Sequence, residues 1–393
     1  MGDVRAGKAL AARGMGQQRP YLRTKNVFDG RIDLNDVLRM PMTEADFSRY
    51  RLRNGDVLLN EGQSLDLVGR CAMYKGEYRE PCAIQNQLVR FRARADVSAG
   101  FAAQLFRHCQ KSGVFARIAL QTTSVAHLGV SRFHRLQLPW PPEATEQEAI
   151  AEALSDADAL IESVEKLIAK KRDLKQAAMQ QLLTGQRRLP GFNQPWELTA
   201  LGDVTTGCSS GQTPSRARPE FYKGDIRWIT SGELNYNTIS DTAEHISKEA
   251  MLITNLRLLP KSTFLMAITG LESEGTRGSC GIVGKPSTTN QSCMALFPTA
   301  ALRVEYLFHY YVFRGKALAL RYCQGTKQQS YTARLVKSLP ILLPLSVDEQ
   351  FAIAAVLSEM DAEVGALEQW RDKARDLKQG MMQELLTGRT RLV

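Results

Sequence analysis

The chain has 393 residues, 44% hydrophobic and 23% charged, with a formal net charge of +10 and a pI near 9.3. This excludes a disordered or fibrous chain, leaves room for two or more domains, and favours a polyanionic partner, nucleic acid before a membrane surface. No apolar run approaches the about 18 residues of a membrane span, and MGDVRAGKALAARG lacks the apolar core of a secretory signal. The seven cysteines (Cys71, Cys82, Cys109, Cys208, Cys280, Cys293, Cys323) form no CxxC pair, as expected of a reduced, cytoplasmic protein with inert thiols.

In chain order, residues 1–144 mix short β-like runs with turns and one helix. Asp56-Val57-Leu58-Leu59 and Leu88-Val89-Arg90-Phe91 read as strands, and Phe101 to Cys109 carries apolar residues at helical spacing. Residues 145–190 read as one long helix. Thr145 and Glu148 have the spacing of a capping box, Gly185 sits where a C-cap glycine belongs, and Pro190 stops continuation. Its apolar positions, Ile150, Ala153, Ala157, Leu160, Val164, Leu167 and, after a break at Lys171, Leu174, alternate three and four apart. Residues 191–200, opening within Pro190-Gly191-Phe192-Asn193-Gln194-Pro195, form the linker.

Residues 201–345 repeat the mixed pattern, with strand-like Ile226-Arg227-Trp228-Ile229 and Thr263 to Ile268 and a helix-like stretch from Val304 to Phe313. Residues 346–393 form a second long helix, opened by Ser346 and Glu349 as a capping box and closed by Gly388. Its seam reads Ile353, Val356, Met360, Leu367, Trp370, Ala374 and Leu377, broken at Glu363. At about 1.5 Å per residue, some 38 residues give a rod of about 57 Å.

The two helices repeat one another. Lys170 to Leu189 returns as Lys373 to Leu392, 203 residues later, with 14 of 20 positions identical. The echo reaches back to Glu146-Gln147 and Glu349-Gln350. More faintly, Gly2-Asp3-Val4 matches Gly202-Asp203-Val204, Tyr21 to Val27 matches Trp228 to Leu234, Asn86-Gln87 matches Asn290-Gln291, and Gln121 to Ser124 lies near Gly325 to Ser330. The unit is a variable domain followed by a near-constant helix, written twice. The expected fold is α+β: two mixed α/β domains separated by two long antiparallel coiled-coil helices, with pseudo-two-fold internal repetition. With the rods antiparallel, Glu363 falls near Lys170 or Lys171, where an ion pair would set register.

The order domain–helix–domain–helix, the tails RDLKQAAMQQLLTG and RDLKQGMMQELLTG, the opening Glu-Gln pairs and Gly211-Gln212-Thr213-Pro214-Ser215 resemble the specificity subunit of type I restriction–modification enzymes. The resemblance covers essentially the whole chain. It departs at the start: Trp196-Glu197-Leu198 precedes Leu201-Gly202-Asp203-Val204, whereas the first half begins almost at Gly2, so the first domain is expected to lack its opening strand or to start further upstream. The resemblance implies a non-catalytic reader of double-stranded DNA, each domain a target-recognition domain for half of a split, asymmetric site. It also implies two docked methyltransferase subunits that modify an adenine in each half-site, and restriction (motor-nuclease) subunits joining through the complex. Half-sites about one DNA turn apart, roughly 34 Å, suit a rod of this size.

Candidate DNA contacts in the first domain are Arg19, Tyr21, Arg23, Lys25, Asn26, Asn86, Gln87, Gln121, Thr122 and Ser124. In the second they are Thr213, Ser215, Arg216, Arg218, Tyr222, Lys223, Ser231, Asn235, Asn290, Gln291, Lys327, Gln328, Gln329 and Ser330. Arginine pairs bidentately with guanine and Asn or Gln with adenine, while Lys, Ser and Thr mostly hold phosphates. In the tails, Arg172, Lys175, Arg375 and Lys378 read as a solvated basic stripe. Leu182, Leu183, Leu385 and Leu386, beside Met179, Met381 and Met382, exceed what a two-helix seam covers and call for burial by a partner helix or by a recognition domain.

Enzymatic readings lack their motifs. Pro141-Pro142 follows Trp140 and precedes Glu143, so it makes no methyltransferase tetrad, and Arg13-Gly14-Met15-Gly16 lacks the third glycine of a dinucleotide loop. His127 and His134 lack metal-ligand spacing and read as core or surface histidines, and Pro219-Glu220 with Lys223 lacks the other acids of a nuclease site. No cofactor or metal is expected. The remaining rivals are a stand-alone DNA-binding regulator, more often a symmetric homodimer, and a coiled-coil adaptor, which needs no basic loop-rich domains.

Overall fold

The computed structural model describes residues 1–10, 15–121, 124–323 and 329–392. The chain divides into two compact units, Met1–Lys166 with Glu368–Val393, and Leu167–Leu367. Each unit therefore holds one mixed domain with a portion of both long helices.

In the first unit, β1 (Gly2–Ala6), β6 (Leu88–Ala93), β3 (Val57–Asn60) and β4 (Cys71–Met73) form a sheet in that order. Helix α1 (Ala99–Lys111) packs on it through Phe101, Leu105 and Phe106, all buried. A second sheet joins β2 (Gln17–Leu22) in parallel to β5 (Ala83–Ile84), through Tyr21 opposite Ala83 and Leu22 opposite Ile84. The strand and helix stretches expected around residues 56–59, 88–91 and 101–109 are present.

The second unit repeats this plan. Strands β8 (Thr205–Ser210), β14 (Cys293–Pro298), β11 (Phe264–Ala267), β12 (Cys280–Val283) and β10 (Asn237–Ile239) form its larger sheet. Strand β9 (Ile226–Ile229) runs parallel to β13 (Ser287–Thr289), with Trp228 opposite Thr288 and Ile229 opposite Thr289. Helix α3 (Val304–Tyr322) takes the place of α1 and runs beyond the expected Phe313. Strand β7 (Trp196–Ala200) pairs antiparallel with β15 (Pro340–Pro344).

Register corrects one expected correspondence. Ala6 pairs with Val89 and Ser210 with Met294, so β1 is the counterpart of β8. Gly2-Asp3-Val4 thus does not correspond to Gly202-Asp203-Val204, which lies in the turn before β8. The shared glycine is the one that follows the strand: an added Cβ at Gly7 would come within 2.3 Å of the Gln85 carbonyl oxygen, and at Gly211 within 1.8 Å of that of Thr289. Only glycine fits where these backbones approach so closely. Among the described residues no strand pairs with 137–141, the counterpart of β15.

The long helices are α2 (Ala144–Leu182) and α4 (Val347–Leu385). Within the first unit Glu146 meets Arg391, Asp158 meets Lys378 and Glu165 meets Arg375; within the second Lys171 meets Glu363, Lys175 meets Asp361 and Arg188 meets Glu349. Partner numbers fall as helix numbers rise, so the two helices run antiparallel in each unit. The expected Lys171–Glu363 pair forms at 2.7 Å. Ser346 caps α4 through the Glu349 N–H, but α2 begins at Ala144, which puts Thr145 inside the helix, and the first capping box does not form. Gly185 and Gly388 take left-handed φ values of 71° and 75°, as C-cap glycines do.

The seam itself differs from the expected one. Ile150, Leu154, Val164 and Ile168 on α2, and Ile353, Leu357 and Met382 on α4, are buried, whereas Leu160, Leu167, Leu174, Trp370 and Leu377 are 39–67% exposed. The exposed residues recur every seven positions and so mimic a seam. Lys175 and Lys378 are not a solvated stripe either. Each carries an aspartate partner, and Lys378 is 6% exposed, with burial and the nearby Arg107 depressing its pKa.

Candidate nucleic-acid interface

In each unit a backbone ladder gathers loops that are distant in sequence. In the first, the Gln85 N–H donates to Leu22 O at 3.0 Å, Glu61 N–H to Gln87 O at 2.9 Å, and Leu128 N–H to Glu61 O at 2.8 Å. In the second, Asn290 N–H donates to Ile229 O at 2.9 Å, Ile268 N–H to Ser292 O at 2.9 Å, and Tyr331 N–H to Ile268 O at 2.8 Å. The C-terminal ends of the parallel strand pair thus lie beside two further loops in both units. The ladder moves the expected match by one residue: Gln85-Asn86, not Asn86-Gln87, is the counterpart of Asn290-Gln291.

The turn that leaves the parallel strand is built alike but from different residues. The Arg23 N–H donates to Asn26 Oδ1 at 3.0 Å, and the Thr230 N–H to Glu233 Oε2 at 2.7 Å. Such side-chain caps close a 3-10 turn by satisfying its orphan backbone donors. What projects beyond each turn is then free to differ.

Of the predicted contacts in the first unit, Asn86, Gln87, Gln121 and Ser124 are exposed on the loops that the ladder gathers. Tyr21 is 4% exposed in the core with Met40, Met42 and Phe47, and Asn26 is 2% exposed, its amide donating to the Asp33 and Asp36 carbonyls. Both are withdrawn from any base edge, because an aromatic at a buried strand position and a turn-closing Asn look the same in sequence as readers. Arg23 and Lys25 share Asp36, and Arg19 pairs with Glu44 over the Phe47 ring. Thr122 lies outside the described residues.

In the second unit Thr213 donates to Gln291 Oε1, and the Gln212 N–H donates to Thr289 O at 3.1 Å, which places the Gly211–Ser215 loop against Asn290-Gln291. Ser215 is exposed here, Ser231 heads its turn, and Asn235 donates to Gly232 O at 3.2 Å. Asn290 Oδ1 accepts from the Ser292 N–H at 3.0 Å. Gln329 and Ser330 lie on the ladder's last loop, where Ser330 bridges Thr269. Arg216 is held bidentately by Glu244 and stacked on Tyr222, whose hydroxyl donates to Pro214 O; Arg218 is shared by Glu220 and Glu249. These pairs raise both arginine pKa values through the carboxylate hydrogen bonds. Lys223 is exposed and near Glu220, whose carboxylate Arg218 and, more weakly, Lys223 hold below its usual pKa; Lys223 makes no salt bridge among the described residues. Lys327 and Gln328 lie outside the described residues.

The sequence reads His127 only as a core or surface histidine and does not single out Glu61; the ladder places both beside Gln87. His127 Nδ1 lies 2.9 Å from Glu61 Oε2. No local spacing signals a pair 66 residues apart. Sequence reasoning also missed what the repeated Glu-Gln pair does. Gln147 accepts from the Ser98 N–H at the start of α1 and donates to Pro141 O; Gln350 accepts from the Arg303 N–H at the start of α3 and donates to Ala301 O and Pro344 O. Glu146 and Glu349 meanwhile grip Arg391 and Arg188, which follow the C-terminus of the opposite helix. Because each glutamine contacts backbone only, the same socket accepts Ser98 in one domain and Arg303 in the other. Among the described residues no group of three His, Cys, Asp or Glu could hold a metal, and no helix is long and apolar enough to cross a membrane.

Residues 193–374 match the family described as type I restriction modification DNA specificity domain. The MjaX specificity subunit of a type I restriction enzyme from Methanocaldococcus jannaschii is 23% identical over 95% of this chain and 87% of its own. The MjaIX specificity subunit from the same organism is 32% identical over 42% of this chain and 38% of its own. The crystal structure of a type I restriction-modification S subunit from M. genitalium shares the fold with a TM-score of 0.61 at 14% identity, covering 98% of this chain and 93% of that one.

Proposed function

Because this chain belongs to the specificity subunits of type I restriction–modification systems, the DNA-recognition components rather than the catalytic ones, we propose that its two units read two unlike half-sites of a split DNA target. The observation that carries this reading is the duplicated ladder. One backbone frame presents Arg23, Gln85, Asn86 and His127 in the first unit and Thr230, Asn290, Gln291 and Ser330 in the second. Like frames carrying different polar groups, with Asn86 and Gln291 the exposed ones, suit one task performed on two base sequences.

The readers favoured by geometry are Asn86, Gln87, Gln121 and Ser124 in the first domain and Thr213, Ser215, Ser231, Asn290, Gln291, Gln329 and Ser330 in the second. Exposed Lys223 suits a phosphate contact. The target-recognition domains comprise 1–144 and 201–345, with 145–190 and 346–393 as helices and 191–200 as linker. The chain assembles with the other subunits of the complex in the cytoplasm. Exposed Leu167 and Leu174 on α2 recur as Trp370 and Leu377 on α4. A doubled apolar surface suits two copies of one partner, the methyltransferase subunit, with restriction subunits joining through it.

The test is methylation mapping of DNA exposed to this chain with its methyltransferase partner. A split motif with unlike halves and a modified adenine on each strand is expected; a continuous or palindromic motif refutes the reading. Binding that weakens steeply with salt separates a DNA reader from a coiled-coil adaptor.

A further inference from the structure

We propose that His127, oriented by Glu61, reads a base in the half-site of the first unit; this rests on the DNA-recognition function proposed above. His127 Nδ1 lies 2.9 Å from Glu61 Oε2, the imidazole side chain is 39% exposed and the carboxylate side chain 19%. The carboxylate is the buried partner and the ring the presented one. Glu61 is itself locked in the ladder, its N–H on Gln87 O and its carbonyl on Leu128 N–H. Arg132 pins the far side, donating to His127 O at 2.7 Å and Leu128 O at 3.2 Å.

Gly62 explains how the ring meets the other readers. An added Cβ there would come 3.1 Å from Gln87 Oε1 and 3.4 Å from the His127 ring, so the missing side chain lets Gln87 and His127 flank one opening. Two ligands are too few for a metal, and the described residues hold no third. A bare carboxylate among DNA readers would repel phosphate; bound to the imidazole it acts as an orienter. In the tautomer that donates Nδ1–H to Glu61, the outer Nε2 of a neutral imidazole is an acceptor. Its complement in a groove is an exocyclic amine, adenine N6 or cytosine N4. The corresponding positions of the second unit are Ile268 and Ser330, so the effect belongs to one half-site only.

The test uses the full chain with its methyltransferase partner. Wild type, His127→Ala, His127→Gln and Glu61→Gln are compared by methylation mapping and duplex binding, with thermal unfolding as the check on folding. His127→Ala is expected to relax discrimination at one base pair of one half-site by about tenfold, the size of one lost base hydrogen bond. Glu61→Gln, which frees the ring's orientation, gives a smaller relaxation, and the other half-site stays unchanged. A duplex lacking the exocyclic amine at that position (purine for adenine, 2-pyrimidinone for cytosine) should weaken wild type to the level of His127→Ala and leave His127→Ala unaffected. Unchanged discrimination in a folded His127→Ala and a folded His127→Gln overturns the proposal, as does equal relaxation in both half-sites. If wild type itself yields no split motif, the function proposed above fails instead.

Discussion

Replacing Gln350 by leucine removes the acceptor that holds the Arg303 N–H at 2.8 Å and the donors that reach Ala301 O and Pro344 O at 2.9 Å each. The side chain is fully buried, so no water replaces the lost partners. A buried group left unsatisfied costs about 1–3 kcal/mol, which puts Gln350→Leu, with three partners, at about 3–9 kcal/mol and Gln147→Leu, with two, at about 2–6 kcal/mol. Gln→Glu keeps the acceptor for the helix N–H but turns a second acceptor oxygen onto the carbonyls that the amide served, so it should also destabilise at neutral pH. Guanidinium unfolding of each full-length variant measures these values. A cost below about 1 kcal/mol for both leucine variants would refute the view that this repeated glutamine fastens each domain to its helix.

Charge reversal tests the register of the helices. The Lys171–Glu363 pair is a third to half exposed, so its worth is about 0.2–0.5 kcal/mol. Reversing each charge and then both multiplies that worth fourfold in the cycle, predicting a coupling of about 1–2 kcal/mol in denaturant unfolding that shrinks in high salt. His309, buried on α3 against Ser358, has its pKa pushed from 6.5 to about 4 by desolvation, slightly eased by Asp361 and worsened by Lys175. Its folded pKa is depressed, so the unfolded chain takes the proton more readily. Stability is intact above about pH 6.5 and falls by about 2–3 kcal/mol as pH drops toward 4; pH titration of unfolding should show this loss removed in His309→Gln. Burial alone would raise the Asp29 pKa, but Arg107 and Lys111 outweigh it and hold it at about 2, so that contribution is lost only as pH falls from about 4 toward 2. Exchanging the exposed Trp370 and Leu377 for serine should leave the melting temperature within about 2 °C and weaken methyltransferase binding in pull-down or calorimetry; unchanged binding removes that surface from the partner interface.

Much of the fold was legible because the chain is repeated: copies of a 20-residue tail, C-cap glycines and the Glu-Gln pairs mark both helices without any long-range information. The seam was misread for a physical reason. Leu160, Leu167 and Leu174 recur every seven residues on the outer face, and periodicity alone does not tell which of two apolar stripes faces the other helix. Gly2-Asp3-Val4 misled because three residues carry no register, whereas the backbone approach at Gly7 and Gly211 does. Among the candidate readers, Asn86, Gln87 and Gln291 lie exposed beside strand ends and Asn290 half-buried there, the placement that loop amides flanked by strand-like runs suggest. Tyr21 and Asn26 were not separable from them, since burial is decided by strands that arrive from elsewhere in the chain. Glu61 and His127 are joined only by the ladder, which no local pattern announces.

The central claim is that one frame carries two independent readers, and paired loop substitutions test it most directly. Methylation mapping is performed with Asn86→Ala/Gln87→Ala and, separately, Asn290→Ala/Gln291→Ala in the assembled complex. The first pair should degrade one half of the split motif and the second pair the other half. Degradation of the same half by both, or of neither by either, would contradict the account.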